Sequence, residues 1–260
     1  MMSKEAIGAD NNGLSAAYVL HTRKYRDTSL IAELYTRDHG RVAVIARGAR
    51  SKKALKTANW QPFTPLLVSF VGRGELKTVT AAEFSSNGFR LSGDNLIMAM
   101  YVNELLVRLL AKHDPIEALF GAYQNVLKDL MVADEALTAL RKFEIFLLRA
   151  LGYGIDFQTS TLGVGIEPDQ FYEFRAGHGF SPCSYSRQQA STDTIAEPEG
   201  PHAKIKFKGE HLLAIAANDF SRAETGSSAK LILRTAINAM LGGKPLMSRQ
   251  LFAQTATRTT

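Results

Sequence analysis

From Ala17 the apolar positions recur at every second residue, the period of half-buried strands. This alternation predicts strands near 17–22 (AYVLHT), 28–36 (TSLIAELYT), 41–47 (RVAVIAR), 65–71 (PLLVSFV) and 75–84 (ELKTVTAAEF). Asp38-His39-Gly40 joins the second strand to the third, and Gly72-Arg73-Gly74 joins the last two. Both are short glycine-containing hairpin connections. In the third strand Val42, Val44 and Ala46 share one face while Arg41, Ala43, Ile45 and Arg47 share the other, giving a core face and a basic face. Five short antiparallel strands in about 70 residues have the size of an OB-fold barrel, whose groove commonly takes oligonucleotides. Other five-stranded barrels fit the pattern nearly as well.

After Ser86 the period lengthens to about 3.6 residues, which marks the passage from strands to helices. In 95–112 (NLIMAMYVNELLVRLLAK) Met98, Tyr101, Leu105 and Leu109 form one stripe, with Val102 and Leu106 beside it. Asp114-Pro115-Ile116-Glu117 reads as a capped helix start, with Asp114 as N-cap and Pro115 at the first helical position, and the helix runs to about Met131. A third helix spans 135–151 and ends at Gly152. From Tyr153 to about Pro201 the pattern weakens around Pro168, Pro182 and the polar run QQASTDTIAEPEGPH. Helices resume at about 209–218 and 227–241 and stop at Gly242-Gly243-Lys244-Pro245. The expected class is α+β. An extension (1–15) precedes a five-stranded OB-fold barrel (16–85). An all-helical domain (86–152 and 206–253) is interrupted by a small irregular subdomain (153–205), and a flexible tail follows (254–260).

Composition narrows the classes. Of 260 residues 45% are apolar and 22% charged, enough apolar surface to offset chain entropy, so the chain is not disordered throughout. No stretch approaches the about 18 apolar residues of a membrane span. MMSKEAIGADNNGLSAAY lacks a basic start followed by an apolar run, so the expected location is the cytoplasm and no membrane partner is expected. One cysteine, Cys183, supplies neither a disulfide nor a thiolate zinc cage. His21, His39, His113, His178, His202 and His211 show neither an i, i+4 pair nor an H-E-x-x-H run, so no metal or cofactor is expected.

Charge becomes informative once it is divided along the chain. Residues 16–85 hold twelve Lys and Arg against five Asp and Glu, whereas 86–260 hold eighteen of each. Positions 39–74 carry seven basic residues and no acidic one. Such a segment serves either a polyanion partner or mere solubility. Arg47, Arg50, Lys52, Lys53 and Lys56 follow the third strand, where loop cations reach phosphates without fixing base identity. Arg23, Lys24 and Arg26 flank Tyr25 in what reads as the opposite connection, between the first two strands. Tyr25 either stacks on a base or simply packs. Trp60, Phe63 and Phe70 lie in or near apolar runs and read as core. The glycines flanking Arg73 link two strands, so they do not form a phosphate-binding loop, which needs a following helix N-terminus.

Four blocks then carry a resemblance. AYVLHTRKYRDTSLIAELYTRDHGRVAVIARGARSKK, QPFTPLLVSFVGRGELKTVTAAE, RKFEIFLLRALGYGIDF and GGKPLMSRQLF resemble, in this order, the RecO family of bacterial recombination mediators. The resemblance implies a non-enzymatic DNA-repair protein of the cytoplasm and nucleoid. It would bind single- and double-stranded DNA, anneal complementary strands and, with RecR, help load RecA onto DNA coated by single-strand-binding protein. The residues agree in showing no Walker loop, nucleophile elbow or carboxylate cluster for two-metal chemistry. The DNA-contacting set expected is Arg47, Arg50, Lys52, Lys53 and Lys56, then Arg23, Lys24, Tyr25, Arg26 and Arg73. The resemblance also implies a helical-domain pocket for the acidic C-terminal tail of single-strand-binding protein, with Arg141 and then Lys142 as its cations. Without the resemblance, Arg141 reads as an ordinary solvated helix residue. Many relatives carry zinc-binding cysteines after the position of Gly152, where this chain has Thr159 and Thr161. No zinc and a different packing are expected there. A competing reading is an OB-fold RNA-binding or RNA-chaperone module, which fits charge and barrel equally. Only the C-terminal blocks speak against it. No physical role is evident for Pro245–Arg249 beyond a helix N-cap at Ser248.

Overall fold

The structure is a computed structural model that describes residues 13–51, 60–86, 88–183 and 205–256. The chain divides into two compact units, one of residues 1–133 and 246–260 and the other of residues 134–245.

The first unit is built on a barrel. Strands β1 (Ser15–Tyr25), β2 (Ser29–Thr36), β3 (Gly40–Ala46), β4 (Pro65–Val71) and β5 (Leu76–Phe84) close in the order β1-β2-β3-β5-β4. This is OB-fold topology, with β3 and β5 parallel and the other pairs antiparallel. The alternation read from the sequence sets the faces. Val42, Val44 and Ala46 point into a core shared with Val19, Ala32, Leu34, Leu66 and Val68, while Arg41, Ala43 and Ile45 are half-buried on the outside. Trp60 and Phe63 are buried, and Phe70 packs against the core.

One extra residue in β1 decides what the outer face meets. The register passes from Val19 opposite Leu34 to His21 opposite Glu33, leaving Leu20 as a bulge. The Leu20 carbonyl accepts from Asn103 Nδ2 at 3.0 Å, and the Asn103 carbonyl oxygen accepts from the Tyr123 hydroxyl at 2.8 Å. Asn103 lies on helix α1 (Gly93–Leu109) and Tyr123 on α2 (Glu117–Asp129). Before the bulge the helices cover the barrel: the Tyr18 and Tyr35 rings lie 5.2–5.7 Å from those of Phe120 and Tyr123. After it, His21 and Arg23 face solvent.

Two helix starts expected from their capping residues lie elsewhere. Helix α2 begins at Glu117 with Ile116 as N-cap, not at Asp114 and Pro115. The reason is tertiary: Lys112 forms a bridge to Arg41 and the His113 N–H donates to the Arg41 carbonyl at 3.0 Å, so this segment is extended along the start of β3. Gly40 permits the approach, since a Cβ there would sit 2.3 Å from the Asp114 carbonyl oxygen. Helix α6 (Met247–Ala256) places Ser248 inside its first turn rather than at the N-cap, and it continues into the stretch expected to be a flexible tail.

That geometry explains the Pro245–Arg249 block. Glu104 of α1 accepts from the Met247 and Ser248 amides, both at 2.9 Å, and from the Ser248 hydroxyl at 2.6 Å. A carboxylate thus caps the positive end of α6 from another helix. Burial pushes the Glu104 carboxyl up, but these hydrogen bonds together with Arg108 outweigh it and hold it below the usual range. Leu246 is buried, and the Arg249 guanidinium lies 5.5 Å from the Tyr101 ring centroid.

The second unit comprises α3 (Ala136–Ala150), α4 (Gly209–Ala216), α5 (Ala223–Met240) and a three-stranded sheet of β6 (Phe171–Arg175), β7 (Gly179–Pro182) and β8 (Lys206–Lys208) in the order β7-β6-β8. Helix α3 ends as the sequence suggests. Gly152 has φ +83, its N–H donates to the Arg149 carbonyl and the Tyr153 N–H to that of Leu148, a Schellman closure.

Candidate nucleic-acid interface

One end of the barrel gathers five cations. The β1–β2 turn and the exit of β3 are neighbours, not opposite connections: the Arg50 N–H donates to the Thr28 carbonyl at 2.9 Å and its guanidinium to the Arg26 carbonyl at 3.4 Å. Register dictates this, because the start of β2 lies between the end of β1 and the end of β3. Arg23, Lys24, Tyr25, Arg26, Arg47 and Arg50 therefore share one rim. The turn carrying Arg47 and Arg50 is anchored, since Ala49 between them is 3% exposed in the barrel core and the Ser51 N–H donates to the Gly48 carbonyl at 2.9 Å. Among the described residues no carboxylate pairs with Arg23, Lys24, Arg26, Arg47 or Arg50. The Arg26 guanidinium lies 5.3 Å from the Tyr25 ring centroid, and Tyr25 is half-buried. Lys52, Lys53 and Lys56 lie outside the described residues.

Arg73 is not part of this rim. Ala43 pairs with Leu76 in the parallel β3–β5 ladder, so the β4–β5 turn lies toward the Gly40 end of the barrel. Arg41, one of the seven basic residues of 39–74, is spent internally. It ion-pairs with Glu33 and donates to the Leu110 carbonyl at 2.9 and 3.1 Å, fastening β3 to the end of α1.

Sequence reasoning missed a groove of about 320 Å³ on the outer face between the two ends. Ile31, Ala43 and Leu76 supply apolar lining, His21 and Arg23 stand on the β1 side, Glu33 on β2, and Lys112 with Glu75 on the far side. Lys112 donates to Glu75 at 2.8 Å, and that hydrogen bond and charge hold the Glu75 carboxyl below its usual range. Nothing local in the sequence marks Lys112 as a site residue, because it reaches the groove from beyond α1.

The tail-binding candidates sit on α3. Arg141 is not a solvated helix residue: its side chain is 12% exposed and its guanidinium lies 2.7 Å from Glu144, itself 1% exposed. Lys142 is exposed. Among the described residues after Gly152 no group of three or more His, Cys, Asp or Glu is placed to hold a metal ion. Thr161 Oγ1 lies 3.1 Å from Ser181 Oγ, and the amides of Gln158 and Thr159 donate to Asp156 at 2.8 and 3.2 Å. Hydrogen bonds fasten this loop, over a core that includes Phe157, Tyr172 and Phe180.

Barrel and helices define an α+β protein whose OB-type barrel turns to solvent a cationic rim that no carboxylate among the described residues neutralises. Comparison with known proteins makes this specific. Residues 14–87 match the family described as Recombination protein O N terminal, and residues 90–194 that described as Recombination protein O C terminal. The chain is 41% identical to the DNA repair protein RecO of Photobacterium profundum over 241 residues, 92% of this chain and 95% of the relative. It is 41% identical to that of Methylococcus capsulatus over 240 residues, 92% of each chain, and 39% identical to that of Aliivibrio fischeri over 241 residues, 92% and 95%. The chain belongs to the RecO family.

Proposed function

We propose that this protein is a non-enzymatic mediator of recombinational DNA repair. It binds single- and double-stranded DNA through the barrel rim, anneals complementary strands and, with RecR, helps load RecA onto DNA coated by single-strand-binding protein, in the cytoplasm at the nucleoid. The observation that carries this reading is the rim itself: five cations on the end of β1 and the two joined turns, with no described carboxylate to neutralise them. Annealing requires phosphate repulsion to be neutralised while the base edges stay free, and backbone-directed Arg and Lys do this without a base-reading pocket. Relatedness along both halves of the chain favours this over an RNA-binding or RNA-chaperone module. Tyr25 offers a face for an unstacked base, and Arg73 a separate contact at the other end. Lys52, Lys53 and Lys56, next in the chain after Arg50, extend the same cationic run.

The test is single-strand affinity across a salt series. With about five phosphates contacted, log affinity falls against log salt with a slope of about −3.5. The variant Arg47→Gln/Arg50→Gln is expected to flatten that slope by about 1.4 and to slow annealing of complementary oligonucleotides. A wild-type slope near zero refutes the reading. For the tail of single-strand-binding protein, the exposed Lys142 ammonium supplies the reachable cation, while Arg141 contributes from its ion pair with Glu144.

A further inference from the structure

The outer-face groove reaches the rim at Arg23. It opens beside Arg23 and runs across β2 and β3 to Lys112. From β1 to β3 is two inter-strand spacings, about 10 Å. A single strand leaving the rim along this groove passes an apolar floor of Ile31 and Ala43 and arrives at a second cation.

Two carboxylates line the same groove, and they differ in kind. Glu33 is locked, being 17% exposed and paired with Arg41, which is itself tied to the Leu110 carbonyl. Glu75 is loose. Its side chain is 79% exposed, it sits next to the β4–β5 turn, and its one described ion pair is with Lys112, whose side chain is 34% exposed. Exposed pairs of this type are worth little against a competing anion. The Lys112 backbone, by contrast, is held by its bridge to Arg41, so the base of this side chain stays beside the groove whichever anion the ammonium faces.

Resting on the single-strand reading above, we infer that Lys112 is a further phosphate-binding residue and that Glu75 is its displaceable counter-ion, a latch that limits how far a strand runs from the rim along the groove. A phosphodiester reaching Lys112 takes the place of the Glu75 carboxylate. Glu75, set free, remains beside the groove as a like charge that discourages weakly held strands.

The experiment measures affinity of the full chain for fluorescent oligothymidine over a salt series, with Glu75→Gln, Lys112→Gln and the double variant. Both side chains project to solvent, so the fold is retained, and circular dichroism checks it. One additional phosphate contact steepens the slope by about 0.7, which at about 0.15 M salt is about fourfold in affinity. Glu75→Gln is therefore expected to bind about fourfold more tightly with the steeper slope, and Lys112→Gln more weakly than wild type. In the Lys112→Gln background the Glu75→Gln gain disappears. A gain that persists there in full means that Glu75 acts only as a general negative charge, and it overturns the latch, as does no gain at all. If wild type binds with a steep slope that Arg47→Gln/Arg50→Gln flattens while the groove variants change nothing, the latch alone fails. A flat wild-type slope removes the single-strand reading itself.

Discussion

Removing the Glu104 carboxylate should undock the last helix from the barrel unit. Glu104 receives three hydrogen bonds from the first turn of α6, at 2.9, 2.9 and 2.6 Å, and its side chain is 17% exposed. Hydrogen bonds to a charged acceptor are worth about 1.5–3 kcal/mol each, and favourable helix-end charge adds roughly 0.3–1 kcal/mol. These contributions overlap, so Glu104→Ala should cost about 2–3 kcal/mol of α6 docking, and Glu104→Gln, which keeps one acceptor oxygen, about 1 kcal/mol. Ser248→Ala removes only the hydroxyl contact and should cost about 1 kcal/mol. Native-state hydrogen exchange of the α6 amides reads the effect directly. At about 1.4 kcal/mol per decade, Glu104→Ala should lower their protection roughly 30- to 150-fold at neutral pH. The same contact predicts a pH dependence. The folded pKa of Glu104 lies below its unfolded value of 4.5, so its contribution is fully present above that value and is lost as pH falls through the folded pKa. Wild-type α6 protection should accordingly drop below about pH 4.5, and this component of the drop should be missing in Glu104→Gln. Unchanged α6 protection in Glu104→Ala at neutral pH would refute the reasoning.

Gly40→Ala should destabilise the barrel unit by about 2–4 kcal/mol, combining a left-handed backbone (φ +62) with a Cβ 2.3 Å from the Asp114 carbonyl oxygen. Thermal unfolding would show it, and a melting temperature equal to wild type would count against the close approach of Lys112–Asp114 to β3. Arg141→Ala removes the ion-pair partner of a nearly buried carboxylate and should destabilise the chain by about 3 kcal/mol or more, whereas Arg141→Lys keeps the charge and should cost less. Binding of an acidic peptide with an apolar C-terminus is therefore best measured with Arg141→Lys and Lys142→Gln. Peptide affinity equal to wild type in Lys142→Gln, with stability intact, would remove Lys142 from the tail site, and a loss in Arg141→Lys would show that the guanidinium itself is required.

Much of the barrel was legible in the residues because strand alternation is a local property. Val42, Val44 and Ala46 declare an inner face whatever lies across from it, and the short loops at Asp38–Gly40 and Gly72–Gly74 declare hairpins. The glycine stop of α3 was legible for the same reason, since a left-handed C′ position concerns one residue and its own helix. The Asp114-Pro115 start shows where local reading fails. Its cap chemistry is sound, but pairing with the start of β3 claims that backbone first.

By itself, then, the sequence determined the five barrel strands, the main helices, which side of each is apolar, and where along the chain positive charge accumulates, whereas the stretch it showed only as irregular (153–205) holds β6 and β7, which pair with β8 in one sheet. Only the tertiary structure decided which cations stand together. It joined Arg26 to Arg50, moved Arg73 to the far end, neutralised Arg41 with Glu33, and brought Lys112 from beyond α1 to the groove. It also returned α6 to the barrel unit, where Glu104 caps it. The physical reason is that hydrophobic period reports that a face is buried without reporting against what. Charge pairing, in contrast, depends on distances of a few ångströms between residues far apart in the chain, and only the closed barrel and its packed helices set those distances.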